Sequence, residues 1–376
     1  MSTPTPRRVL VVGGSTAGAT ALRELRRRGF DGRLTLLDPL DGTHRPPLSK
    51  AVLADVAHEA SVLMDLGSLD VVRVPSAAAS LDVDARVVTD VDGHEHGYDA
   101  LLVATGGRAR RLAAAGQDGE LVLRTVADAR LLRERLATAA SAVVVGAGFL
   151  GLEVATAARR TAATVTVVDP EPPLVRLLGD HLASVLVGRA TDHGITVRRA
   201  AVRLHGSPVR GVELDDGSVL EADVVVTCAG DVPETAWLEG SGVAAPQGVP
   251  VDASCRSRRD GVWAAGDVAA PVVDGVAVRR PLWANAVTQG RVAAASMLGQ
   301  EVDDPVLDDY AWTEVAGTSL KVVGRLPCSG TPRVLEESAD GGRLLAFGAD
   351  TVAAVGLRRP VPRLRRALAE LGSSAG

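Results

Sequence analysis

The residues most plainly set up for chemistry are three glycines and an acid. In "SAVVVGAGFLGLEVATAARRTAATVTVVDPE" they fall as Gly146-x-Gly148-x-x-Gly151, with Asp169 closing the next apolar run. Each glycine has a mechanical role. Gly146 permits a tight turn, Gly148 lets the backbone approach a pyrophosphate, and Gly151 lets a helix pack on the preceding strand. A helix that begins at such a turn directs free N–H groups and the positive end of its dipole at the phosphates. Asp169 stands where a carboxylate accepts hydrogen bonds from a ribose diol and repels a 2′-phosphate. The pattern therefore favours NADH over NADPH.

A second copy lies near the amino terminus. "RRVLVVGGSTAGATALRELRRRG" reads as strand, glycine turn and helix through Arg28, and "GRLTLLD" then ends on Asp38. Ser15 occupies the place of the middle glycine. Serine is small and keeps its N–H, so close phosphate approach there is strained but allowed. Two such units in one chain imply two dinucleotides, one reading as a flavin dinucleotide and the other as NAD.

The segments that must position these turns follow a regular plan. "LDVDARVVTDVDGHEHGYDALLVATGG" alternates like a hairpin turning at "DVDG", then becomes a buried strand ending at Thr105 and Gly106. "GVELDDGSVLEADVVVTCAG" repeats that plan with its turn at "DDG", and places Cys228 in the buried strand as packing. A strand ending at Gly266 and Asp267 and a Trp-led helix over "RRPLWANAVTQGRVAAASMLG" come next. From Val306 the pattern is strands and a last helix, "VPRLRRALAEL". The expected class is α/β. Two nested Rossmann-like domains, residues 1–111 with 231–305 and residues 112–230, precede a small α+β domain over 306–376. The pair His94-x-His96 places two imidazoles on one strand face, but no third ligand is evident, so a solvated hairpin and no metal are expected.

Bulk properties narrow the function. A chain of 376 residues has room for two or three cores, and with only 2% aromatic residues Val, Leu and Ala must fill them. A net charge of −5 argues against a general nucleic-acid binder. No apolar run reaches the length of a membrane span, and "MSTPTPRR" is too polar for a signal peptide. Cys228, Cys255 and Cys328 stand far apart with no CxxC pair, which fits a reducing cytoplasm.

Taken in order, "GGSTAGATAL", "HRPPLSK", "LLVATG", "VVVGAGFLGLEVA", "CAGDVPET", "VWAAGDVA", "LWANAVTQG" and "AWTEV" resemble the FAD-dependent NADH:ferredoxin reductases over nearly the whole chain. These are flavoproteins of the pyridine nucleotide-disulfide oxidoreductase type that serve bacterial cytochrome P450 and Rieske dioxygenase systems, and "RPPLSK" is the most diagnostic segment. The resemblance implies that Gly13, Ser15 and Gly18 face the FAD pyrophosphate and Asp38 the adenosine ribose. It sets Arg45 and Lys50 against the flavin, Thr105 and Gly106 at the crossing between domains, and Gly266 and Asp267 at the ribityl or pyrophosphate end. Trp283 would flank the isoalloxazine, its helix aiming an amino terminus at the N1/C2-carbonyl edge. Gly146, Gly148, Phe149, Leu150, Gly151, Asp169 and Gly230 would hold NAD, with Glu153 near the nicotinamide and able to pair with Lys50. Lys50, Glu153 and Trp283 form the implied catalytic set. Without the motif context Lys50 and Glu153 read as solvated helix charges and Trp283 as a core residue.

Three departures stand out. Ser15 replaces a glycine, "AWTEV" lacks a glutamine and one aromatic of the family motif, and "DPEPPLVR" is proline-rich where relatives place a basic residue. The implied reaction uses FAD and NADH: hydride passes to the flavin, and single electrons go on to a [2Fe–2S] ferredoxin, for which Arg279, Arg280, Arg358 and Arg359 are candidate landing residues on charge alone. A cytoplasmic monomer or weak homodimer is expected. An NADH oxidase or quinone/dye reductase, and a redox-sensing NADH-binding flavoprotein, remain as alternatives.

Overall fold

The computed structural model describes residues 6–40, 42, 47–53, 55–301 and 306–374. Along the chain, β1 (Arg8–Val12), α1 (Thr16–Arg27), β2 (Arg33–Leu37), β3 (Val71–Val74) and β4 (Ala100–Val103) come first. Next are α2 (Val126–Thr138), β5 (Ser141–Val145), α3 (Phe149–Ala158), β6 (Thr164–Asp169), β7 (Ile195–Arg199) and β8 (Val224–Thr227). Then come β9 (Val262–Ala264), α4 (Trp283–Met297), β10 (Ala311–Val315), β11 (Thr318–Gly324), β12 (Thr351–Val355) and α5 (Val361–Ser374). The chain divides into two compact units. One holds Met1–Arg45, Ala60–Arg108 and Val232–Asp308, the other Pro46–Glu59, Ala109–Asp231 and Asp309–Gly376.

The first unit is built on a five-stranded parallel sheet in the order β9-β4-β1-β2-β3. Residues Val9–Val12 are buried on both faces, as an unbroken apolar run in a parallel strand must be. Alternate residues divide between two cores. Val9 and Val11 pack with Leu22 and Leu25 of α1 and Val292 of α4, whereas Leu10 and Val12 pack with Val88, Tyr98 and Trp237. The helices α1 and α4 approach closely because both are rich in small residues. A Cβ on Gly290 would lie 2.6 Å from the Ala17 carbonyl oxygen.

Glu24 closes the outer turn of α1, accepting hydrogen bonds from Arg27 and Arg28. The Arg27 hydrogen bond holds its carboxyl down to about 2 from the usual 4.5, against the opposing effect of burial. A carboxylate depressed in this way gives stability that is complete above pH 4.5 and is lost as pH falls toward 2. Glu24→Gln is therefore expected to flatten the acid limb of the melting temperature across that range. An unchanged slope would remove Glu24 from the account.

The second unit carries a parallel sheet in the order β7-β6-β5-β8 followed by Leu121–Val122. A three-stranded antiparallel sheet (Val202–His205, Gly211–Leu214, Val219–Glu221) covers one face through Leu204, Val212 and Leu214. The same unit includes a five-stranded antiparallel sheet in the order β10-β11-β12, Arg343–Phe347, Arg333–Glu337. Leu364 of α5 seals it against Val323, Val352 and Ala354.

Two local expectations change. Cys228 lies just past β8 rather than within it, where the strand has given way to the loop beside Gly146. The hairpin does turn at "DVDG", and it gathers two carboxylates beside His94, without His96, that the sequence did not single out. Ligand atoms of Asp90, Asp92 and His94 lie within 4.8 Å of one another. Those atoms already serve the turn. Asp90 accepts the N–H groups of Asp92 and His94 and lies 2.9 Å from His96 Nε2, while Asp92 accepts the Ser76 hydroxyl.

Candidate functional site

The two glycine turns are near copies of each other. Gly13 and Gly146 have φ of 99° and 106°, in the region that favours glycine. A Cβ on Gly18 would sit 1.9 Å from the Gly13 carbonyl oxygen, and one on Gly151 would sit 1.8 Å from that of Gly146. Each third glycine therefore lets its helix rest directly on the turn.

The helices that follow are left open at their amino termini. Neither Ser15 before α1 nor Gly148 before α3 provides a side-chain cap, and neither first turn contains an acid. By contrast, Thr125 and Asp128 form a full capping box at α2. A methyl placed on Gly148 would meet Leu177 Cδ1 first, at 4.0 Å, so there is room for a ligand's phosphate. Phe149 and Leu150 open α3 just beyond, each half-buried.

The two acids have an additional role. Asp38 accepts the N–H groups of Gly14 and Gly42 on one oxygen, and that of Leu40 on the other. Asp169 accepts Ala147 N–H and Glu171 N–H in the same manner. Each braces the middle of its glycine turn from the end of the next strand. A carboxylate oxygen has two lone pairs, so this leaves capacity for a ribose hydroxyl.

The second unit also gathers a charge cluster. Leu48–Val52 is wound as a π-helix, closed by the Val52 N–H donating to the Pro47 carbonyl oxygen. Single π-turns recur at functional sites because they re-aim side chains. Arg133 of α2 anchors this turn by donating to the Val52 carbonyl and to Glu59. From the turn, Lys50 Nζ reaches Glu153 Oε2 at 2.8 Å and Ser49 Oγ donates to the same oxygen at 2.5 Å. Thr313 of β10 donates to Glu153 Oε1 at 2.7 Å, and the Trp312 ring centroid lies 4.3 Å from Lys50 Nζ. Glu153 is only 6% exposed, so it is no solvated helix charge; a buried carboxylate needs such donors. Ser49, Trp312 and Thr313 were not singled out by the sequence. Their signals were the serine before the diagnostic lysine and the "AWTEV" segment, which reads in the sequence only as a departure.

In the first unit, Thr105 Oγ1 donates to the Glu234 carbonyl, and Gly106 has φ of 70°. Gly266 N–H donates to Gln289 of α4, and Arg279 donates to the Asp267 carbonyl. Trp283 opens α4 and is 41% exposed, which removes the core reading. With Thr16, Thr20, Arg23, Met64 and Asp65 it borders a depression of about 280 Å³. Gly230, in the second unit, has φ of 88° with open space around it. Arg45 lies outside the described residues.

No thiol is poised for chemistry. Burial, reinforced by the Glu153 charge, pushes Cys228 up to about 12, and burial also raises Cys255 and Cys328. Thiolate is the reactive form, so these cysteines are packing residues.

The family model described as "Pyridine nucleotide-disulphide oxidoreductase" matches residues 7–290. The chain belongs to this family. Among curated oxidoreductases of the family, the biphenyl dioxygenase system ferredoxin–NAD(+) reductase component of Paraburkholderia xenovorans (strain LB400) is 36% identical, covering 84% of this chain and 80% of the relative. The rubredoxin-NAD(+) reductase of Pseudomonas putida is 31% identical, covering 85% of this chain and 86% of the relative. The crystal structure of the covalent putidaredoxin reductase–putidaredoxin complex aligns with a TM-score of 0.85 at 26% identity, covering 97% of this chain and 93% of that one.

Ferredoxin reductases of the pyridine nucleotide-disulphide oxidoreductase family use FAD and NAD(H). The residues present fit both groups. Two open helix termini, two turns that admit no side chain and two acids at the adjoining strand ends supply what two dinucleotides require. Among the described residues no helix is long and apolar enough to cross a membrane.

Proposed function

We propose that this chain is a cytoplasmic NADH:ferredoxin reductase, carrying FAD on the Gly13 turn and taking NADH at the Gly146 turn. Residues 1–111 with 231–305 then form the FAD domain, 112–230 the NAD domain and 306–376 the small C-terminal domain. The observation that carries the reading is the presence of two matching, uncapped glycine turns in one chain. When bound, FAD supplies hydride acceptance from NADH and release of electrons one at a time. The protein's own part is to bind, orient and tune. The α1 and α3 termini hold the pyrophosphates. The amino terminus of α4, begun by Trp283, favours negative charge by up to ~2 kcal/mol in a partly buried setting. In the second unit, Glu153 holds the Lys50 cation at a fixed position.

Buried, protonated cysteines support direct transfer to a partner rather than a thiol relay. Relatives named as ferredoxin reductases support a ferredoxin as that partner, and the cluster we assign to it is [2Fe–2S]. Arg279, Arg280, Arg358 and Arg359 are the proposed landing residues on a chain that is a monomer or weak homodimer. Their role predicts ferredoxin-coupled cytochrome c reduction that falls as salt rises.

Anaerobic titration of the purified protein tests the reading. One FAD per chain, bleached by one equivalent of NADH and poorly by NADPH, is expected. The NADPH result follows from Asp169, whose carboxylate repels a 2′-phosphate. A colourless protein, or a yellow one that NADH leaves oxidised, would overturn it. Rapid oxygen consumption with NADH alone would favour an oxidase instead.

A further inference from the structure

The loop after Asp169 is rich in proline, and the basic residue of the family pattern is missing from it. A base reaches this loop from another strand. Arg199 ends β7, the edge strand beside β6, and stands in register with Asp169. Ala200 N–H donates to the Asp169 carbonyl oxygen, which fixes that register at the strand ends. Register partners on adjacent strands project from the same face, about 5 Å apart.

These two opposite charges nevertheless do not pair. Both Asp169 oxygens are taken by backbone N–H groups, Oδ2 by Ala147 and Oδ1 by Glu171. Arg199 turns instead to the loop, where its Nε donates to the Pro170 carbonyl oxygen at 3.2 Å. Among the described residues no carboxylate is bound to it. Arg199 is exposed, so with Nε anchored its Nη groups remain for a ligand.

An acid and a base therefore flank one position at the end of β6. A dinucleotide seated on the Gly146 turn brings its adenosine ribose to this strand end. A carboxylate there favours a 2′-hydroxyl, whereas a nearby arginine accommodates a 2′-phosphate through its planar fork of N–H donors. We propose that Arg199 is a specificity-determining residue of the second dinucleotide site: it is placed to hold a 2′-phosphate, and the Asp169 charge is what keeps the site for NADH. The inference rests on the reading of the Gly146 turn as the NADH site, and its residues all belong to the second unit.

Calorimetry with ADP-ribose and 2′-phospho-ADP-ribose tests this without any redox step. The proteins are the purified wild type, Arg199→Gln, Asp169→Asn and the double variant. Asp169→Asn is expected to raise the affinity for the phosphorylated fragment, relative to ADP-ribose, by about tenfold, the worth of one charge-assisted contact partly screened by water. Adding Arg199→Gln should abolish that gain. Arg199→Gln alone should leave ADP-ribose binding unchanged. No gain in Asp169→Asn, or a gain that survives in the double variant, would overturn the proposal. So would equal losses for both fragments in Arg199→Gln, which would make Arg199 a loop anchor only. If Asp169→Asn fails to fold through loss of its bracing bonds, competition in the wild-type background decides. There the phosphorylated fragment, at millimolar concentration, should displace ADP-ribose more readily from the wild type than from Arg199→Gln. Equal displacement, or none, overturns the proposal. A wild type that binds no ADP-ribose would instead fail the reading of the Gly146 turn, and this inference with it.

Discussion

Gly151→Ala is expected to leave the protein yellow and to slow its reduction by NADH on the order of a hundredfold. The new Cβ would lie 1.8 Å from the Gly146 carbonyl oxygen, far inside van der Waals contact, and that oxygen belongs to backbone that cannot rotate away. Helix α3 must lift from β5 by more than an ångström. That movement carries with it the N–H groups proposed to hold the second nucleotide, and Glu153 two residues on. Misplacement by about 1 Å costs catalysis on that scale, because the reacting atoms lose their approach geometry. The first turn is untouched, so flavin should stay. Gly18→Ala makes the mirror prediction: its Cβ would meet the Gly13 carbonyl at 1.9 Å, and the protein should purify with little or no flavin. Flavin-to-protein absorbance and stopped-flow bleaching by NADH read both variants. A colourless Gly151→Ala beside a yellow Gly18→Ala would mean that the nucleotides are exchanged.

Those turns were legible in the sequence because glycine spacing is a local code. Gly146, Gly148 and Gly151 lie within six residues, and the same backbone that spaces them also builds the turn. The Trp-led helix and the hairpins at "DVDG" and "DDG" were legible for the same reason. The Lys50–Glu153 pair, 103 residues apart, was suggested through the family resemblance rather than any local pattern. Thr313 lies 160 residues from Glu153, and nothing in "AWTEV" by itself marks a hydroxyl that a buried carboxylate will need. The bracing of each glycine turn by Asp38 and Asp169 was hidden differently. The ribose role expected of them already accounted for an acid at the strand end, so the backbone bonds they accept left no separate signal. Cys228 and the Asp90 cluster show the remaining gap: strand ends and turn hydrogen bonds depend on the last one or two residues of an element, where patterning is weakest.

Lys50→Met should be among the most destabilising single substitutions in the second unit. It keeps the length of the stem and its packing on Trp312, but leaves Glu153 as a buried charge with only hydroxyl donors. Breaking a buried ion pair from one side costs about 3–5 kcal/mol, and the lower end applies because the Lys50 side chain is 24% exposed. Glu153→Gln should cost less. Its amide remains a partner for the two hydroxyls, and the freed ammonium can swing to solvent along its exposed side. The double variant Lys50→Met/Glu153→Gln removes both charges and should regain much of the loss, so that the two changes are strongly non-additive. Denaturant unfolding of the four apoproteins measures this cycle without reference to any bound group. Simple additivity would mean that the pair is only an accidental contact of two independently tolerated side chains. Coupling of about 2 kcal/mol or more would mean that Glu153 is kept in the core for Lys50.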